Sequence, residues 1–214
     1  MKISKLVLGM ISTNCYIVVD NGEAMIVDPA AGADKILAEL KKFKDVKVKY
    51  IALTHAHWDH LLATPELVAK TGAKVLCHEE DLDKLFSKKI ADESPRAVQK
   101  AYAEGRAMGI EPQVLHEGDT FTVGTKTFEV IHTPGHTRGS VCFYCKEEKV
   151  LFTGDTIFAG GRIGRTDFDD GNMRDMTDTL RKKFTKIHDD AKVLPGHEGT
   201  STMINERMFN EYIH

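Results

Sequence analysis

Residues Thr54 to His60 read THAHWDH, three histidines and an aspartate in seven positions, directly after the apolar run KVKYIAL (Lys47 to Leu53). That run is rich in β-branched, aromatic and aliphatic residues, so it reads as a strand and the histidines sit at its end. In extended backbone, residues i and i+2 point the same way. His55 and His57 therefore face one point and can meet one cation. If the chain then turns into a helix, Asp59 and His60 project from the next face, close by. One short segment can thus supply ligands to two neighbouring metals. The competing reading is a helix start capped by Asp59, with incidental histidines.

More residues of ligand type recur at the ends of other apolar runs. EVIHTPGHT carries His136, VLFTGDT carries Asp155, and KVLPGHE carries His197. A glycine, which lets backbone approach a crowded site, precedes each of them. Four strand ends converging on one edge would build a cup of ligands, a usual place for a site. The other five histidines (His78, His116, His132, His188, His214) lack this context and read as surface or satisfied core residues. His132 stands nearest to the set, four residues before His136.

A chain of 214 residues suits a single domain, here 1–214, with a sizeable core. A net charge of −3 gives no overall basic character, so neither nucleic acid nor an anionic membrane is expected as a partner. The basic clusters Lys41–Lys49 and Arg181–Lys186 read as solvated faces, because they mix with apolar residues at regular spacing. No apolar run approaches the roughly 18 residues needed to span a bilayer. The start, MKISKLVLGMISTNC, lacks a small-residue cleavage site and reads as a first strand. Cys15, Cys77, Cys142 and Cys145 fit a reducing compartment, so a cytoplasmic chain is expected. Cys142 and Cys145 form a C-x-x-C inside a strand-like run, where alternation points them to opposite faces.

Strands are expected at KISKLVLG, NCYIVV and AMIVD, with a turn at Asp20–Glu23. GADKILAELKKF is helical, and TPELVAKTG is a helix with Thr64 as N-cap, Pro65 at the first helical position and Gly72 as stop. Glu79–Met108 is mostly helical and polar with a break near Ser94-Pro95, a candidate pocket wall or lid, or a plain covering helix pair. A hairpin turning at Gly124, further strands, a helix from DGNMRD and a last helix from Ile204 complete the order. The fold class expected from this mixture is α/β (α+β), two sheets with helices outside.

The motifs THAHWDH, HTPGHT, TGD and PGH, in this order and spacing, resemble the metallo-β-lactamase superfamily along nearly the whole chain. The resemblance implies a four-layer αββα sandwich with a two-metal site at one edge. It implies that His55, His57 and His136 hold one ion, that Asp59, His60 and His197 hold a second, and that Asp155 bridges them. It places Asp28, in the early VDP, beneath the site as a support for the ligands. Asp59 would also orient the nucleophilic water. The donors are five imidazoles and two carboxylates, a set suited to two divalent ions, zinc first, with iron or manganese as alternatives.

GGRIGRTDF (Gly160 to Phe168) and the end of the chain resemble the short glyoxalase II-like hydrolases. That implies a thioesterase acting on S-lactoylglutathione or a related acyl thioester, a small-molecule substrate. A thiol with a pKa of about 8.5 leaves as thiolate with little help from an acid. The larger enzymes of that type carry a C-terminal helical domain that helps to bind glutathione. The sequence to His214 has no room for it, which leaves the acyl carrier open. Arg162 and Arg165, with Asp167 nearby, are weak candidates for steering an anionic substrate, and an internal Arg–Asp pair that holds the loop is the favoured reading. The chain also resembles persulfide dioxygenases, which would hold one iron through His55, His136 and Asp155. The intact second set favours the hydrolase. A nuclease of this fold would be expected to add a domain or a basic surface, and a non-catalytic module would be expected to lose a ligand.

Overall fold

The computed structural model describes every residue from Met1 to His214. The first half builds one six-stranded sheet. Its strands are β1 (Lys2–Leu8), β2 (Thr13–Asp20), β3 (Glu23–Val27), β4 (Lys47–Ala52), β5 (Lys74–His78) and β6 (Gln113–Leu115), neighbours in that order. The first three pair antiparallel through tight turns, and the rest pair parallel. A parallel pair needs a crossover. Here the crossovers carry the helices α1 (Ala33–Leu40), α2 (Trp58–Leu61), α3 (Thr64–Thr71), α4 (Lys88–Asp92) and α5 (Arg96–Ala107).

The second half builds the other six-stranded sheet. It contains β7 (Thr120–Val123), β8 (Lys126–His132), β9 (Val141–Cys145) and β10 (Val150–Gly154). After the small hairpin of β11 (Ile157–Phe158) and β12 (Arg162–Ile163) come α6 (Met173–Lys183), β13 (Lys192–Pro195), β14 (Ser201–Thr202) and α7 (Met203–Phe209). The sheet order is β14-β13-β10-β9-β8-β7, with only β10 and β13 parallel, across α6. Asn172 caps α6, its side-chain oxygen accepting from the amides of Arg174 and Asp175.

Three apolar layers hold four structural layers together. Ile17, Ile26, Ile51 and Val75 pack the first sheet under Ile36, Leu67, Val98 and Tyr102 of its helices. Val18, Met25, Ala52 and Leu76 meet Phe128, Val130, Phe143 and Phe152 between the sheets. Tyr144, Leu151 and Val193 pack the second sheet under Met176, Leu180 and Met203. The architecture is the expected αββα sandwich. A strand buried on both faces needs apolar residues at every position, which explains runs such as NCYIVV. Cys142 lies in the outer layer and Cys145 between the sheets, as alternation predicts. No helix is long and apolar enough to cross a membrane.

One expected detail is corrected. Thr64 is the first residue of α3 and not its N-cap, the cap position being Ala63 with no side-chain bond. The short α2 ends at Leu61, and Leu62 and Ala63 already have helical backbone angles, so no extended residue is left to cap. Gly72 does stop α3, at a φ of 67°.

Candidate metal centre

The ends of β4, β8, β10 and β13 meet at one edge of the sandwich, and each delivers its ligand-type side chain there. Two glycines permit the approach. A Cβ on Gly154 would lie 2.3 Å from Thr54 Oγ1, across the gap between the sheets. A Cβ on Gly196 would lie 2.3 Å from Asp155 Oδ1 and 2.7 Å from the His60 ring. Backbone bonds close the same edge, from Val141 N to Thr54 O at 2.8 Å and from Asn14 N to Gly196 O at 2.7 Å.

All seven side chains expected as ligands come together. His55, His57 and His136 form one group, Asp59, His60 and His197 a second, and His55, His60 and Asp155 a third, each with donor atoms within 4.8 Å of one another. Asp155 lies between the first two groups, 3.6 Å from His136 Nε2, 3.5 Å from His60 Nε2 and 3.5 Å from His197 Nε2. His57 ends the extended segment and α2 begins at Trp58, so Asp59 and His60 do turn to the next face.

The outward atoms of the imidazoles are tied down. His136 Nδ1 donates to the Arg165 carbonyl at 2.8 Å, which leaves its Nε2 facing inward. His60 Nδ1 donates to Asp28 Oδ2 at 3.0 Å. The Thr54 hydroxyl donates to Asp28 Oδ2 at 2.7 Å, so its oxygen accepts from His55 Nδ1 at 3.2 Å. Asp28 sits in the left-handed region, φ 49°, at the turn after β3. Second partners of this kind fix ring tilt and tautomer.

Burial pushes the His55 imidazole well below its ordinary range, and neighbouring imidazoles add to the effect. Burial and the His136 ring take His57 to about 4. At His60 burial acts the same way but is outweighed by Asp59, Asp155 and Asp28, which hold it well above the ordinary value. His197 rises to about 9 because bonds to Asp155 and Asp59 overcome its burial. Burial opposes charge on Asp59 and Asp155, yet the imidazoles hold both below the usual carboxylate range.

These carboxylates demand positive charge where water is scarce. His55 Nε2, His60 Nε2 and Asp155 Oδ1 are buried without hydrogen-bond partners. Each such orphan costs about 1–3 kcal/mol unless something fills the point it faces. Inward lone pairs on imidazoles beside ionised carboxylates fit divalent cations, with no thiolate in the set.

The centre opens into a cleft of about 860 Å³ lined by Ile11, Trp58, Ser87, Ile90 and Phe168 among others. Ser87, Lys89, Ile90 and Glu93 make the expected segment 79–108 a wall of this cleft. Arg165 pairs with Asp167 through two 2.9 Å bonds and lies over the Phe168 ring. Arg162 pairs with Glu198, beside His197. Neither arginine is free, so the reading of an internal pair holds at Arg165. The sequence reading missed Thr13, whose hydroxyl donates to Asp59 Oδ2 at 2.8 Å. It also missed Phe168, whose ring edges His57 and His136 at centroid distances of 5.4 and 5.8 Å. Neither carries a local signal, since both act across the fold.

The family model of the metallo-β-lactamase superfamily matches residues 8–197. The chain is 30% identical to hydroxyacylglutathione hydrolase GloC of Haemophilus influenzae, over 94% of this chain and 92% of the relative. It is 31% identical to the probable metallo-hydrolase YqgX of Bacillus subtilis, over 100% of this chain and 98% of the relative. Among solved structures, the B3 metallo-β-lactamase BLEG-1 superposes with a TM-score of 0.83 at 30% identity, covering 99% of each chain. TTHA1623 in a di-iron-bound form does so with 0.78 at 28%, covering 98% of this chain and 99% of that one. From the strand-end ligands to the matched family model, the observations agree that the chain belongs to the metallo-β-lactamase superfamily.

Proposed function

We propose that the protein is a binuclear metal-dependent thioesterase of glyoxalase II type, with S-lactoylglutathione or a related acyl thioester as substrate. Superfamily membership implies a metal-dependent hydrolase, and the substrate is our reading. The observation that carries it is the placement of Asp155 between two complete donor groups at the mouth of one cleft. The full-length similarity to a hydroxyacylglutathione hydrolase supports the choice of thioester.

In this reading His55, His57 and His136 hold one ion, Asp59, His60 and His197 the other, and Asp155 both. When bound, two divalent ions, zinc first with iron or manganese as alternatives, lower the pKa of a water and polarise the carbonyl under attack. The chain supplies the rest. Thr13 fixes Asp59 so that its carboxylate orients the attacking water. Asp28, Thr54 and the Arg165 carbonyl keep the protons on the outer nitrogens of His60, His55 and His136. Trp58, Ile90 and Phe168 exclude water and seat the acyl group. A thiolate leaves unaided, so the cleft needs no dedicated acid.

An iron oxygenase would need only His55, His136 and Asp155 at a single ion, whereas here Asp59, His60 and His197 form a second donor group beside the same Asp155. The test is metal content per chain on protein purified without added metal or chelator, followed by thioester and oxygen assays. About two ions with thioester turnover support the proposal. One iron, oxygen uptake with a persulfide and no thioester cleavage would sink it.

A further inference from the structure

We infer that Asp81 is a positioning residue for the group of His55, His57 and His136. The inference rests on the metal-centre reading and is independent of which thioester is cleaved.

Asp81 closes the single turn after β5 and is fully buried, yet it belongs to none of the donor groups. Its carboxylate accepts four bonds. Oδ2 takes the amide of Ala56 at 2.8 Å and the hydroxyl of Thr137 at 2.9 Å. Oδ1 takes the amide of Gly139 at 3.1 Å and the ammonium of Lys84 at 2.6 Å. Ala56 lies between His55 and His57, and Thr137 follows His136. One oxygen atom therefore joins the two loops that carry the three histidines, and those loops leave different sheets.

The connection continues. Lys84 also pairs with Asp170 at 2.6 Å, in the loop that holds the Arg165 carbonyl and Phe168 against His136. The packing leaves no slack, since a Cβ on Gly139 would lie 2.7 Å from Asp81. A buried carboxylate is stable only when its lone pairs are filled. Here they are filled by the groups that set the spacing of three imidazoles. Ligand geometry must hold to about half an ångström for tight binding. The second group has its own supports in Asp28 and Thr13, and Asp81 makes no hydrogen bond to those residues. Its effect should therefore fall on one ion only.

Asp81→Asn keeps the shape but replaces two acceptor lone pairs with N–H groups and removes one of the two counter-charges of Lys84. The experiment measures Co²⁺ binding to metal-free full-length protein by chelator competition, together with the visible absorption of the bound ion. A His197→Ala background isolates the three-histidine group, and a His136→Ala background isolates the other. Asp81→Asn is expected to weaken Co²⁺ roughly 10–100-fold at the three-histidine group and to shift its absorption band. Affinity at the other group should stay within about 2-fold, the selectivity that an outer partner of one site alone produces. Unchanged affinity at the three histidines, or an equal loss at both groups, overturns the assignment. A purely structural role would lower the unfolding midpoint and leave the affinity of the folded protein alone.

If circular dichroism shows that Asp81→Asn does not fold, Thr137→Val replaces it, removing one of the four bonds while Asp81 stays. A several-fold weaker three-histidine group is then expected, and no change overturns the inference. Should the wild-type protein take up one ion and not two, the binuclear reading fails, while the comparison at the three histidines still decides the role of Asp81.

Discussion

Asp28 Oδ2 stands 3.0 Å from His60 Nδ1, with both side chains at most 2% exposed. The same carboxylate also accepts the amide of Thr54 at 2.8 Å and its hydroxyl at 2.7 Å. It thus links the residue just before the histidine cluster to a ligand on α2. Asp28→Asn should weaken the ion of the Asp59–His60–His197 group, which it touches directly, about 10–100-fold, and the three-histidine group, reached only through Thr54 and His55, by less. Metal per chain after dialysis against graded chelator measures it. Full retention of the second ion would falsify the role of Asp28.

Gly196 has no room for a side chain beside Asp155 and His60. Gly196→Ala should displace the Asp155 carboxylate by an appreciable fraction of an ångström and cut kcat/KM roughly 100-fold. Steady-state kinetics with metal in excess check this, and a loss below 5-fold would mean that the strand end adapts.

Phe168 is 40% exposed at the cleft and carries no ligand atom. Phe168→Ala should raise KM about 2–10-fold for acyl thioesters and leave kcat nearly unchanged, the pattern of lost uniform binding. An equal fall in kcat and kcat/KM would instead tie the ring to the transition state.

His78 stacks on His132 with centroids 4.0 Å apart. Burial and then the His132 charge take His78 from 6.5 to about 4, against the opposing pull of Glu79 and Asp81. The unfolded chain therefore binds the proton more readily over that range, and stability falls as pH falls. The contribution of His78 is intact above 6.5 and is lost as pH drops toward 4. Denaturant midpoints across this window should fall more steeply for the wild type than for His78→Gln. Parallel curves would show that His78 does not titrate there.

The strand-end cluster was legible because its members follow apolar runs, with a glycine directly before His136, Asp155 and His197. The layers were legible from strands apolar on both faces. What stayed hidden depends on contacts between distant segments. Asp81 lies in the acidic run HEED, and nothing in that run separates the buried carboxylate from its exposed neighbours. Thr64 looked like a cap because Ser and Thr favour that position, but the preceding helical turn occupied it. The wall of the cleft could be read as helical, yet which face it turned to the centre depended on how its own Phe86 and Tyr102 pack into the core beside the first sheet.

The two sheets contribute unequally to the centre. The first supplies His55, His57, Asp59 and His60, and the second supplies His136, Asp155 and His197. An ion bound there fastens one half of the sandwich to the other, like a rivet through two plates. Prying the halves apart must strip the metal, and stripping the metal must ease the halves apart. By linkage, an ion held at 1,000 times its dissociation constant adds about 4 kcal/mol against separation. The rate at which the protein loses its ions therefore sets a ceiling on the rate at which the sandwich opens, and an enzyme kept in metal would resist proteolysis longest at the seam where the two sheets meet the ions.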